Sequence, residues 1–183
     1  LGHILDDYQR SMASTNRVLD LIDTPIRIFG GSRKLDPKEV KGEITFNNVT
    51  FNYENRDLIF KDLNLNIKEG STIGIVGATG SGKSTLVKLL LRLYPISKGD
   101  IKIDQISINS YDLRSLRRCI SLVSQEVYLF HGTIEENISY GNKKTNKKDI
   151  IRAAEVAEAD EFINKLPEGY KTIVGERGQR LSG

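Results

Sequence analysis

"IVGATGSGKSTLVKLL", running from Ile75 to Leu90, decides how this chain is read. Gly77, Gly82, Lys83 and Ser84 stand at the spacing G-x-x-x-x-G-K-[ST], after a short apolar run and ahead of an apolar helical pattern, which is the context such a loop needs. The residue types follow from the chemistry of holding a polyphosphate. Glycines at 77, 80 and 82 let the backbone wrap so that the N–H groups of the loop, through Ala78, Thr79 and Ser81, turn inward, and the helix opening near Lys83 adds the positive end of its dipole. In that frame Lys83 reaches the β- and γ-phosphates as a point charge, Ser84 ligates Mg²⁺ through its hydroxyl, and Thr85 donates to the α-phosphate.

Outward from the loop, the pattern is β-rich before it and helical after it. "EITFNNVTFNY" (43–53) and "LIFKDLNLNI" (58–67) alternate as half-exposed antiparallel strands do, whereas "STIGIVG" (71–77) is a continuous apolar run between Gly70 and Gly77 that predicts a strand buried on both faces. Leu86 to Leu93 predict an apolar helix ended near Pro95, "GDIKIDQISIN" (99–109) a hairpin turning at Asp104 and Gln105, and "ISLVSQ" (120–125) a further strand after a short Arg-rich helix. Thr133 and Glu136 have capping-box spacing, and in "DIIRAAEVAEADEFINKL" (149–166) the residues Ile150, Ile151, Ala154, Ala157 and Phe162 predict one apolar helix face. At the other end, Ile4, Leu5, Tyr8, Met12, Val18, Leu19 and Ile22 recur at helical spacing. "DTPIRIFGGSRKLDP" (23–37) then breaks the pattern, which predicts a helix and an irregular linker.

Composition narrows the classes of function. A chain of 183 residues, 38% hydrophobic and 28% charged, has material for one ordinary core with an appendage. Its net charge of +3 is too small to imply a polyanion partner, and the one basic run, "NKKTNKK" (142–148), lacks interleaved aromatics and reads as a solvated loop rather than a nucleic-acid surface. The single cysteine, Cys119, excludes an internal disulfide and suits a small buried hydrophobe. No apolar run approaches the ~20 residues of a membrane span, and no signal peptide is visible. The chain opens on Leu1 rather than Met and stops inside a Gly-containing segment, so both ends read as cut from something longer.

The flanks of the loop carry a resemblance. "VTFNYENRDLIFKDLNLNIKEGSTIGIVGATGSGKSTLVKLLLRLYPISKGDIKIDQ" (49–105) resembles the nucleotide-binding domain of ATP-binding cassette transporters, and the resemblance places Tyr53 where that family stacks an aromatic ring on adenine. "ISLVSQEVYLFHGTIEENISYG" (120–141) resembles the segment with the family's glutamine loop, which implies that Gln125 sits at a strand end and reaches Mg²⁺ and the attacking water. "IVGERGQRLSG" (173–183) resembles the exporter-type cross-linking loop at Glu176, Arg177 and Gly178, followed by the opening of the signature motif at Ser182 and Gly183, which would complete a partner's ATP site. "YQRSMASTNRVLDLIDTP" (8–25) looks like the cytoplasmic end of an exporter's last membrane helix.

What the resemblance implies is a P-loop NTPase fold of α/β class. A core of parallel sheet and helices would carry an antiparallel β subdomain and a helical subdomain, preceded by a helix and linker. The expected organisation is membrane-helix end and linker over 1–41 and an incomplete nucleotide-binding domain over 42–183, its core and β subdomain in 42–124 and its helical subdomain in 125–183. ATP and Mg²⁺ are the implied cofactors. The implied partners are the protein's own transmembrane domain and a second nucleotide-binding domain, met head to tail at the cytoplasmic face of a membrane. The family's Asp-Glu strand and switch histidine have no match in the sequence, so the chain is expected to bind ATP-Mg without hydrolysing it efficiently, while the whole protein would be an ATPase. The rival readings are a soluble cassette ATPase of the DNA-repair or chromosome-organising kind, and a nucleotide-dependent interaction module without turnover. Glu135 and Glu136 are read as offsetting a helix dipole rather than as catalytic, and His3 and His131 are too isolated to suggest a metal site.

Overall fold

The computed structural model describes residues 2–125, 128–142 and 144–175, residues 2–5 as backbone only. The chain divides into two compact units, Leu1–Ser121 and Leu122–Gly183.

The first unit opens with α1 (Gly2–Ile22), whose residues from Asp6 onward are all exposed, including the apolar stripe Tyr8, Met12, Val18, Leu19 and Ile22. Its sheet is antiparallel throughout: β1 (Ile44–Asn52) lies between β2 (Leu58–Ile67) and a later strand, β3 (Lys98–Ile103), with β4 (Ile106–Ser107) beyond β3. Between β2 and β3 comes α2 (Lys83–Leu90), and after β4 a single 3₁₀ turn and α3 (Leu113–Arg118). Phe46, Val49 and Phe51 of β1 pack with Ile101 and Ile103 of β3, with Leu89 of α2, and with Tyr111 and Leu116 to make the core.

Strict alternation would send Val49 to the face opposite Phe46, yet both are buried. A β-bulge reconciles them. Asn48 takes the left-handed φ of 48°, and the register of β1 shifts against both neighbours between residues 46 and 50. Gly99 is the strand residue that permits this: its φ is +88°, and a Cβ there would stand 2.4 Å from the carbonyl oxygens of Asn47 and Asn48. The hairpin turns where the sequence places it, at Asp104 (φ 50°) and Gln105 (φ 66°). Asp104 does more than turn the chain. Its carboxylate accepts the backbone N–H groups of Lys41, Gly42 and Glu43 at 2.8, 3.0 and 2.9 Å, fixing the entry into β1.

The segment read as a loose linker is a strap bonded along its length. Arg27 pairs with Glu54 at 2.9 Å, an exposed ion pair that contributes little. The N–H of Gly31 donates to Tyr111 (2.8 Å), that of Arg33 to Ser110 (3.0 Å) and that of Leu35 to the Ser115 hydroxyl (3.1 Å). Residues 71–77 and 120–125 differ from the reading as strands: among the described residues neither segment enters a ladder, and Val76 and Val123 are each 95% exposed. A strand buried on both faces exists only between neighbours, and neither segment pairs with a described strand. The helix expected to run to Leu93 stops at Leu90, because Arg92 takes a φ of 51°.

The second unit pairs β5 (Gly132–Thr133) with β6 (Ile173–Val174) and holds α4 (Ile134–Ser139), α5 (Lys147–Val156) and α6 (Asp160–Asn164). The capping box is formed: Thr133 Oγ1 accepts the Glu136 N–H, and Glu136 accepts the Thr133 N–H. Where one helix face was expected, the chain breaks at Ala157, and Glu158 adopts a left-handed φ of 55° before α6 begins. The break rotates the face, so Ile163 is buried with Ile134, Ala154 and Val174 while Phe162 is exposed.

Gly99→Ala tests the bulge. The new methyl meets two carbonyl oxygens at a φ disfavoured for alanine, so the substitution is expected to lower stability by about 1–3 kcal/mol, read as a fall in Tm. An unchanged Tm would mean that the bulge does not depend on this close approach.

Candidate phosphate-binding site

The turn into α2 is built from glycine. Gly80 (φ 84°) and Gly82 (φ 95°) both occupy left-handed backbone, and the Ser81 N–H closes the turn on Ala78 O at 3.2 Å. Gly82 has a second reason to lack a side chain. It is buried against β2, where a Cβ would lie 2.6 Å from Ile59 and 2.9 Å from the ring of Phe60. The strand therefore sets the position of the loop's last residue, and α2 starts from that point.

At the N-terminus of α2, Gly82 makes no side-chain cap and the first turn holds no acidic residue. The positive end of the helix is thus left for an external anion: the Thr85 N–H turns back onto Gly82 O at 2.9 Å, while the two residues before it, Lys83 and Ser84, have no helical carbonyl one turn back to accept theirs. Lys83 Nζ donates to the carbonyls of Gly77 and Ala78, at 2.8 Å each. Two loop carbonyls thereby hold the ammonium over the turn, where a phosphate would have to meet it. Ser84 is exposed beside it and Thr85 is buried. The loop residues Gly77, Ala78, Thr79, Gly80 and Ser81 are exposed.

Tyr53 follows β1 and is half-buried near the same helix. Its hydroxyl lies 3.2 Å from Thr85 Oγ1, and its ring meets Phe51 edge-on at 5.0 Å and Tyr94 edge-on at 4.8 Å. Two residues chosen for separate tasks in the sequence, the aromatic and the threonine, are therefore in direct contact. Tyr94 was not singled out in the sequence. It lies in the "RLYP" segment that the helix was expected to cover in part, and the early end of α2 turns it onto Tyr53.

Arg92 was missed as well. Its guanidinium is buried, with the residue 8% exposed, and donates to Phe29 O at 2.7 Å and to Ile108 O and Tyr111 O at 3.3 Å. Burial, and then the charge of Arg117, lower its pKa from the usual arginine value. Gln125 belongs to the second unit, where it is exposed at a bend rather than at the end of a ladder strand. Glu176, Arg177, Gly178, Ser182 and Gly183 lie outside the described residues. Among the described residues no cluster of His, Cys, Asp and Glu is arranged to hold a metal, and no helix is long and apolar enough to cross a membrane.

A family model described as ABC transporter matches residues 60–183. An ATP-dependent lipid A-core flippase of Idiomarina loihiensis is 42% identical over 185 residues, covering 100% of this chain and 31% of that protein. A putative multidrug export ATP-binding/permease protein of Bacillus subtilis is 42% identical over 95% of this chain and 30% of its own length. Among solved structures, a bacterial Atm1-family ABC exporter with ATP bound superposes with a TM-score of 0.83 at 36% identity, over 96% of this chain and 31% of that one. The chain thus spans just under a third of the length of these relatives.

The Tyr53 geometry separates two contributions. Tyr53→Phe removes only the bond to Thr85 and is expected to cost about 1 kcal/mol of stability, whereas Tyr53→Ala also removes the edge contacts and is expected to cost about 3 kcal/mol. Chemical denaturation measures both, and equal losses would show that the ring contacts contribute nothing.

Proposed function

This chain belongs to the ABC transporter family and has its P-loop NTPase fold, and we propose from that premise that it is the ATP-binding part of an exporter, holding nucleotide on the loop from Gly77 to Thr85. The observation that carries the proposal is the uncapped start of α2 with Lys83 folded over the glycine turn. A polyphosphate arriving there meets first-turn N–H groups, the positive end of a helix and an ammonium that exchanges two neutral carbonyls for charged oxygens. Adenine is assigned to Tyr53, and the partner side of the site to Ser182 and Gly183.

The metal fits the same surface. Mg²⁺ takes few protein ligands and keeps waters and phosphate oxygens for the rest, so one exposed hydroxyl beside the lysine, that of Ser84, is a suitable donor. When bound it would neutralise charge on the β- and γ-phosphates, with Gln125 as the second proposed contact. In the whole protein, ATP hydrolysis would drive export, through closure of two nucleotide-binding domains head to tail and movement of an attached transmembrane domain. The relatives are named as exporters and flippases, which favours this reading over a soluble cassette ATPase of the DNA-repair kind. Its place is the cytoplasmic face of a membrane. We assign residues 1–41 to the connection with the membrane helices and 42–183 to the nucleotide-binding domain, with Glu176 meeting the transmembrane part.

Titration with a fluorescent ATP analogue in the presence of Mg²⁺ tests the assignment. Lys83→Ala is expected to weaken binding by about tenfold or more, since it deletes the one side-chain cation of the loop. Equal affinity for the two proteins would remove the loop as the binding site.

A further inference from the structure

With eight residues, α2 is too short to hold a helix by itself. It owes its order to contacts along its buried face and at its two ends. At the N-terminal end is the glycine turn. At the C-terminal end are two guanidinium groups: Arg117 donates to Leu91 O and Arg92 O at 3.0 and 2.9 Å, and Arg92 reaches from the helix end to Phe29 O, Ile108 O and Tyr111 O. Phe29 belongs to the strap.

The strap is held here by hydrogen bonds more than by packing, with Phe29 largely exposed. An open cleft of about 170 Å³ runs beside it, lined by Ile28 and Phe29 of the strap and by Leu89, Ile96 and Ile108. The bonds that hold the strap are the Arg92 contact to Phe29, the Gly31 and Arg33 amides on Tyr111 and Ser110, and the Asp112 N–H on Arg33 O at 2.7 Å. Gly31 lies so near that a Cβ would stand 2.1 Å from Ser110 O. A largely exposed segment anchored by a few polar bonds beside an open cleft docks and lifts as a unit more readily than one set in a filled core.

We propose that Arg92 couples the strap to the nucleotide site, so that ATP on the phosphate loop and the docked strap each strengthen the other. The proposal rests on the nucleotide reading of the loop. Its physical basis is a shared ordering cost: phosphates fix the N-terminus of α2 and the Arg92 bonds fix its C-terminus, and whichever forms first orders the helix for the other. Arg92 touches no nucleotide and acts as a positioning residue. Because the strap continues directly from α1, the state of the loop is passed along the chain to the end of that helix.

Amide hydrogen exchange on the full 183-residue chain, with and without Mg²⁺ and ATP, reads both sites at once. ATP is expected to slow exchange in residues 79–86 and also at Gly31 and Arg33. Arg92→Lys and Gly31→Ala, neither of which touches the loop, are expected to weaken ATP binding by on the order of fivefold or more, and to abolish the ATP-dependent slowing at the strap while the loop is still protected at saturating ATP. A general loss of stability would raise exchange with and without ATP and leave the ATP-dependent difference intact. Protection confined to the loop in the unsubstituted protein overturns the coupling, as does unweakened ATP binding in both variants. No protection at the loop overturns the nucleotide reading itself and the coupling with it.

Discussion

α2 stands where it does because Leu89 is 1% exposed among Phe46, Val49, Phe51 and Ile101, and everything at the phosphate loop inherits its position from that burial. Burying a leucine side chain stabilises by roughly 1.5–3 kcal/mol, more than the propensity of an eight-residue helix can supply, so the sheet dictates the helix axis. Gly82 against Ile59 and Phe60 sets the helix start, and Arg117 on the Leu91 and Arg92 carbonyls holds its end. At the first residue of the helix those points fix, Lys83 turns its ammonium back over the preceding loop. It rests on the Gly77 and Ala78 carbonyls, contacts weak enough for an anion to displace.

The strap and the sheet solve the same problem in different ways. β1 meets the bulge at Asn48 with a glycine opposite, trading a side chain at residue 99 for two inward aromatics and a valine. The strap cannot satisfy its backbone within itself and borrows acceptors from Tyr111, Ser110 and Ser115 and a donor from Asp112. Arg92 belongs to this second solution. A buried guanidinium without a carboxylate partner must find carbonyls, and the three it finds lie on two separated segments, which is why one side chain joins the strap to the turn after β4.

Much of this was written in the residues. The loop spacing, the hairpin at Asp104 and Gln105, and the capping box of Thr133 and Glu136 each rest on a local rule, and local rules survive folding. The alternation in 43–53 gave the strand but not the bulge, because one unpaired residue leaves the pattern readable and shifts its phase. Residues 71–77 and 120–125 read as strands from composition alone, while a ladder depends on neighbours that composition does not name. Phe162 and Ile163 exchanged places because a helix break rotates everything after it. Arg92 was invisible for another reason: an arginine in an apolar helical pattern is ordinarily assigned to the solvated face, and nothing local marks the residue that leaves the helix through a left-handed φ. Of the candidate site, the turn into α2 was legible in the glycine spacing, with Gly80 and Gly82 in left-handed backbone. The Tyr53 and Thr85 contact joins segments 32 residues apart, and no local pattern marks it.

With Lys83 and the start of α2 as the phosphate cradle, the affinity of this chain for nucleotide is expected to reside in the phosphates rather than in the base. Calorimetric titration with ATP, ADP and adenosine, each with Mg²⁺, measures that directly. If the start of α2 and Lys83 hold the β-phosphate, ATP and ADP bind with comparable strength and adenosine binds weaker by at least about a hundredfold, near 2.7 kcal/mol. Adenosine binding as tightly as ATP would contradict the account, since the base alone would then carry the affinity and the loop would hold nothing.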